Sequence, residues 1–163
     1  MVYEFVIDFD SLFEYVQTLS QKEAKTIPTP PREEGFITQD VEAVTGVIED
    51  RDRPYIKSQA YNASAEIYDA LSPALAKGFS FTPFGEGSVA FTVLQERVSE
   101  NKVAVLETRV KMAMGSYILA NWFSSYPQRA DIAERYGALF QKEKDEVFRL
   151  LLKKYTERKY RFL

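Results

Sequence analysis

The residues best placed to do chemistry follow an apolar run near the N-terminus, in Phe5-Val6-Ile7-Asp8-Phe9-Asp10-Ser11-Leu12. An Asp-x-Asp pair after a strand is the sharpest enzyme-like signal in the chain. A second acidic group, Glu49-Asp50-Arg51-Asp52, could hold a hard cation through its carboxylates. Arg51 and Arg53 would repel that cation, however, and no glycine turn is present, so a salt-bridged helix start is the simpler reading. Gly85-Glu86-Gly87 has neither a Lys-Ser/Thr pair nor a following helix, and so is no phosphate cradle. The chain contains no His and no Cys. Imidazole bases, thiol nucleophiles, zinc-thiolate sites and disulfides are thereby excluded, leaving only carboxylate, Lys, Tyr, Ser or Thr chemistry.

The Asp8-x-Asp10 segment resembles the first motif of the haloacid-dehalogenase-type phosphotransferases. That resemblance implies Asp8 as nucleophile toward phosphorus, Asp10 as proton handler and magnesium screening the phosphate. It covers about eight residues, and Ser11-Leu12 stand where that family has Gly-Thr. The family also needs a parallel α/β sheet, which the rest of this chain does not suggest. The alternative is a strand followed by Asp10 as helix cap, with Asp8 in solvent. We expect no enzyme and no cofactor.

The elements around these residues read as follows. Tyr3, Phe5, Ile7 and Phe9 alternate with Glu4 and Asp8, the period of a strand. Asp10 or Ser11 then caps a helix carrying Leu12, Phe13, Tyr15, Val16 and Leu19. Thr26-Ile27-Pro28-Thr29-Pro30-Pro31 cannot continue it, because proline lacks a donor and restricts its predecessor. Thr38 precedes a short acidic helix through Val41, Val44 and Val47-Ile48. Pro54 opens a stronger helix whose stripe is Ile56, Ala60, Ala63, Ile67 and Leu71. Residues 79–82 and 88–98, rich in Val, Phe and Thr, predict two strands around the turn Phe84, Gly85, Glu86, Gly87. A long apolar helix spans roughly 103–125, with Leu106, Val110, Met114, Tyr117 and Trp122 in its core. Tyr126-Pro127 stops it. Asp131 caps a last helix bearing Ile132, Tyr136, Phe140, Val147 and Leu151, with Glu134 completing a capping-box spacing.

Charge is polarised along the chain. Residues 1–50 carry eleven acidic side chains against three basic ones, while residues 147–163 carry six basic against one acidic, within a net charge of −3. Such a field can orient a partner or a neighbouring copy. The basic end interleaves Lys153, Lys154, Arg158, Lys159 and Arg161 with Tyr155, Tyr160, Phe162 and Leu163. Basic plus aromatic suits either nucleic-acid stacking or an acidic protein groove. The acidic front favours protein docking.

From Phe36 to Tyr155 the order of elements resembles the small head–tail connector, or adaptor, proteins of tailed bacteriophages. The resemblance rests on Phe36-Ile37-Thr38-Gln39-Asp40-Val41 leading into a first helix and on Ala63-Ser64-Ala65-Glu66-Ile67-Tyr68 in a second. A central helix (109–123), Asp131-Ile132-Ala133-Glu134-Arg135-Tyr136, and a Leu150-Leu151-Leu152-Lys153-Lys154 close follow. It implies a ring of copies seated on the portal, contacting a further tail-side protein, with C-terminal arms inserting into the portal. Loops such as Phe84–Gly87 would then line a DNA passage or touch a neighbouring subunit. Location in the connector region of the virion, after synthesis in the host cytoplasm, is likewise implied; an unrelated cytoplasmic interaction module is the alternative.

A single α+β domain, mainly helical, is therefore expected over residues 1–163: about four helices with a small antiparallel β element. Within it we expect a strand-helix front (1–25), a Pro-rich connector (26–35), a helical body (36–155) with a β insertion (79–98), and a C-terminal arm (156–163). Apolar runs are too short to span a bilayer. No metal, small-molecule substrate or membrane partner is expected.

Overall fold

The structure, a computed structural model, describes residues 1–26, 46–72, 75, 80–81, 87–96 and 98–159, the last eight of these and 80–81 by backbone alone. It is a mainly helical α+β fold. Among the described residues four helices pack with one three-stranded antiparallel sheet in the order β1-β3-β2. The strands are β1 (Val2–Asp8), β2 (Ser80–Phe81) and β3 (Ser88–Leu94); the helices are α1 (Phe9–Ala24), α2 (Arg53–Leu71), α3 (Glu100–Ser124) and α4 (Ala130–Lys159).

Alternation in β1 has the consequence expected of a pleated strand. Phe5 and Ile7 are buried while Val2, Glu4, Val6 and Asp8 are exposed. Seven consecutive residues of β1 pair with β3, from Val2 opposite Leu94 to Asp8 opposite Ser88, without a bulge. Phe5 stacks on its cross-strand partner Phe91 at 5.1 Å. The sheet is thus stapled from its buried face by aromatic packing.

All five stripe residues of α2 (Ile56, Ala60, Ala63, Ile67 and Leu71) are buried. Burial of each large aliphatic there contributes about 1.5–3 kcal/mol. The helix begins one residue before Pro54, so the proline takes the second helical position. Helix α3 is the central element: Leu106, Val110, Met114, Ile118, Leu119 and Phe123 are all but fully buried, whereas Tyr117 and Trp122 are only partly so. It folds back on α4, whose Ile132, Tyr136, Phe140, Val147 and Leu151 complete the core. Edge-to-face packing of Tyr117 on Phe140 and stacking of Phe123 on Tyr136 tie the two helices together.

Further boundaries differ from the sequence-based expectation. Val47 and Ile48 are not helical: Gly46 sits in the left-handed region at φ +66° and Glu49 is extended. Ile48 is fully buried there, and its backbone polar groups are satisfied by side chains of α1. Its N–H donates to Ser20 Oγ at 3.0 Å, and its carbonyl accepts from Gln17 Nε2 at 3.2 Å. A buried non-helical segment must find such partners. Asp131 does not cap α4, because a 3₁₀ turn over Pro127–Arg129 starts the helix at Ala130 and leaves Asp131 inside its first turn. Finally, β3 ends at Leu94 rather than 98. The remainder of the Thr38 helix and most of the Pro-rich connector lie outside the described residues.

Candidate functional site

The Asp8/Asp10 pair has structural employment. Asp8, not Asp10, is the N-cap of α1: its Oδ2 accepts from the Ser11 N–H at 2.9 Å, satisfying one of the unpaired amides of the first turn. Asp10 Oδ1 accepts from Arg53 Nη1 at 2.6 Å, and that hydrogen bond holds the Arg53 pKa above its ordinary value. The Arg53 guanidinium also lies 4.4 Å from the centre of the Phe13 ring, a cation–π contact. Ser11 Oγ accepts from Lys111 Nζ of α3, and the Phe9 N–H donates to Gly87 O at 2.7 Å. The strand that ends in Asp8 runs antiparallel to β3, its one bonded neighbour among the described residues, unlike the parallel setting that the phosphotransferase resemblance implies.

The other acidic group forms a 3₁₀ turn before α2. There Asp52 Oδ2 accepts from the Glu49 N–H at 2.8 Å, and Arg51 pairs with Glu49 at 2.9 Å, both groups largely in solvent. Among the described residues no cluster of three or more carboxylates could hold a metal. Of the candidate loop only Gly87 is described; its φ of +69° favours glycine, and its carbonyl closes the β1–β3 pairing. Phe84, Gly85 and Glu86 lie outside the described residues.

Sequence reasoning missed two buried polar contacts. Glu143 of α4 is buried and accepts twice from Arg109 Nη1, at 3.0 and 2.8 Å. The same carboxylate, after burial itself, raises the Tyr15 pKa. Its position was legible: residue 143 stands three after Phe140 and four before Val147, on the apolar stripe of α4. The second contact joins α1 to α4. Tyr136 Oη donates to Glu23 Oε1 at 2.9 Å, and Arg135 pairs with the same oxygen.

Burial, and then the bond to Glu23, push the Tyr136 pKa well above the ordinary 10.0. Folded Tyr136 therefore holds its proton more tightly than the unfolded chain does. Its contribution is full below about pH 10 and is lost as pH rises past that value. Urea midpoints should stay level to about pH 9 and then fall. Tyr136→Phe should cost about 1 kcal/mol near neutrality and fall less steeply at alkaline pH. A variant that parallels the wild type throughout would remove Tyr136 from the alkaline transition.

The C-terminal candidates are only partly placed. Lys153, Lys154, Tyr155, Arg158 and Lys159 fall on the backbone of α4, which runs four residues beyond the expected end of the helical body. Tyr160, Arg161, Phe162 and Leu163 lie outside the described residues. Just before them, Phe148 of α4 is 45% exposed, a further large apolar group outside the core.

A mainly helical α+β scaffold with a small antiparallel sheet defines this protein's class. No family model, curated protein or solved structure matches the chain. No helix among the described residues is long and apolar enough to cross a membrane.

Proposed function

We propose that this protein is a structural assembly subunit, a head–tail connector of a tailed bacteriophage that forms a ring on the portal and continues the DNA passage. The observation that carries the reading is the length of α4. It has 30 residues against 25 in α3, its antiparallel partner across a short turn. At 1.5 Å per residue α4 therefore runs past the start of α3 by roughly 7 Å. That projecting turn carries Tyr155, Arg158 and Lys159 on its backbone, and the last described core side chain, Leu151, lies before it. A partner's groove would bury the aromatics and pair the cations.

Deleting residues 156–163 tests this directly. The truncated chain should keep its circular dichroism and lose under about 1 kcal/mol of stability, since no described core residue is removed. Its assembly should collapse, because a buried anchor contributes ~2 kcal/mol or more, roughly thirtyfold in affinity. Native mass spectrometry of both chains, alone and with a phage portal protein, reads the outcome. Undiminished assembly would take the arm out of the mechanism, and a full-length chain monomeric under both conditions would overturn the connector reading.

A further inference from the structure

Among the described residues, strand β1 lies at the margin of the sheet, bonded to β3 on one side only. Its polarity follows from two bonds that bracket the ladder: Gln95 N–H donates to Met1 O at 3.1 Å, and Phe9 N–H donates to Gly87 O at 2.7 Å. In an antiparallel ladder this makes the odd residues, Tyr3, Phe5 and Ile7, the hydrogen-bonded partners of β3. The N–H and C=O groups of Val2, Glu4 and Val6 then point away from the sheet. Among the described residues none of these groups has a backbone partner outside the strand pairing. Their side chains are exposed as well, Val2 by 50% and Val6 by 42%. Proline, bulges and inward charges usually blunt such an edge. None interrupts Val2–Ile7, so the strand offers a template for strand addition.

We infer that this edge receives residues Tyr160–Leu163 of a second copy as an added antiparallel strand. The inference rests on the assembly reading above and names its contact. Tyr160-Arg161-Phe162-Leu163 alternates, as a strand must. With Arg161 opposite Glu4, Leu163 falls opposite Val2, so a charge meets its opposite and an aliphatic group meets another. Phe162 and Tyr160 then align with Tyr3 and Phe5 on the sheet's other face. Pairing β1 with β1 of a second copy would instead gather two copies of Glu4 and Asp8 on one face, which like-charge repulsion disfavours. An arm-to-edge contact joins different surfaces of identical chains, the heterologous geometry that gives a ring when the rotation between copies closes.

Val6→Pro is the direct probe. Its N–H points away from β3, so proline removes an outward donor without breaking the internal ladder. The variant should keep its circular dichroism and its melting temperature within a few degrees, and lose oligomers in native mass spectrometry. Glu4→Arg should weaken assembly at least tenfold, and combination with Arg161→Glu should restore it; this pair decides the matter if the proline variant fails to fold. The chain has no cysteine, so Glu4→Cys and Arg161→Cys on separate chains should give a mixed disulfide under mild oxidation. Oligomers undiminished by Val6→Pro, or disulfides between two Glu4→Cys chains in place of the mixed one, would overturn strand addition and leave the assembly reading standing. A wild-type chain monomeric both alone and with a portal protein would overturn both.

Discussion

Met114→Asp should lower the stability of this protein by about 4 kcal/mol or more. Met114 is fully buried near the middle of α3, and α3 packs against α4, α2, α1 and β1. Two losses add there. Removing the methionine leaves unfilled volume in a close-packed interior, a change that costs ~2–5 kcal/mol for large-to-small core substitutions. The new carboxyl must also be buried without a partner, at a cost of several kcal/mol even when it takes up a proton. Against a typical total of about 5–15 kcal/mol, the variant should be largely unfolded or melt far below the wild type. Met114→Leu conserves volume and should cost under about 1.5 kcal/mol. Urea midpoints for the pair measure the difference; an aspartate variant as stable as the leucine one would mean that this face of α3 is not core.

Gly46→Val should cost about 3 kcal/mol by a different route. Gly46 adopts φ +66°, where an L side chain meets the following carbonyl, worth ~1–2 kcal/mol. A Cβ built there would also lie 2.7 Å from Cε1 of Phe123, a ring that is itself fully buried. That ring is stacked on Tyr136 and cannot withdraw without disturbing α4; overpacking of this kind costs ~1–3 kcal/mol. The melting temperature should fall by roughly 9 °C for a chain of this length. The only tryptophan, Trp122, donates to Gly46 O at 2.7 Å, so its emission should shift to longer wavelength in the variant. An unchanged melting point and unchanged emission would show that the segment before α2 can relax around the side chain.

Much of the fold was legible because the helices obey a single period. The α2 stripe and the buried line of α3 follow from apolar spacing alone, since a helix with one apolar side must bury it. Where the reading failed, two local solutions competed and a distant residue chose. Asp8 and Asp10 are both competent caps; Asp8 prevails because β1 stays in register with β3 as far as Ser88, and the chain can turn into helix only after that. Asp131 loses its cap position to a 3₁₀ turn that the Tyr126-Pro127 break starts earlier. Val47-Ile48 continues the helical apolar spacing of Val41 and Val44, but Gly46 is held beneath Phe123 and Trp122. Glu143 hid in plain view, since a charge on an apolar stripe is satisfied only by a partner on another helix, Arg109. The site candidates were less legible than the fold for a related reason. An open strand edge is a property of sheet order, and no spacing within residues 2–8 states which side β3 will take.

The pairing of β1 with β3 also sets the order in which this protein can be made. Val2 meets Leu94, about ninety residues later in the chain. At the usual ~5–20 residues per second of synthesis, β1 leaves the ribosome many seconds before its partner exists. The α3–α4 hairpin needs only sequence-local contacts and can form as soon as its second helix is complete. Strand β1 therefore waits until residues 88–94 emerge, yet it can pair before the α3–α4 hairpin is complete, since α4 ends only at Lys159. During that interval Phe5 and Ile7, later wholly interior, are offered to chaperones or to other nascent chains, and slowing translation before residue 88 should lengthen their exposure.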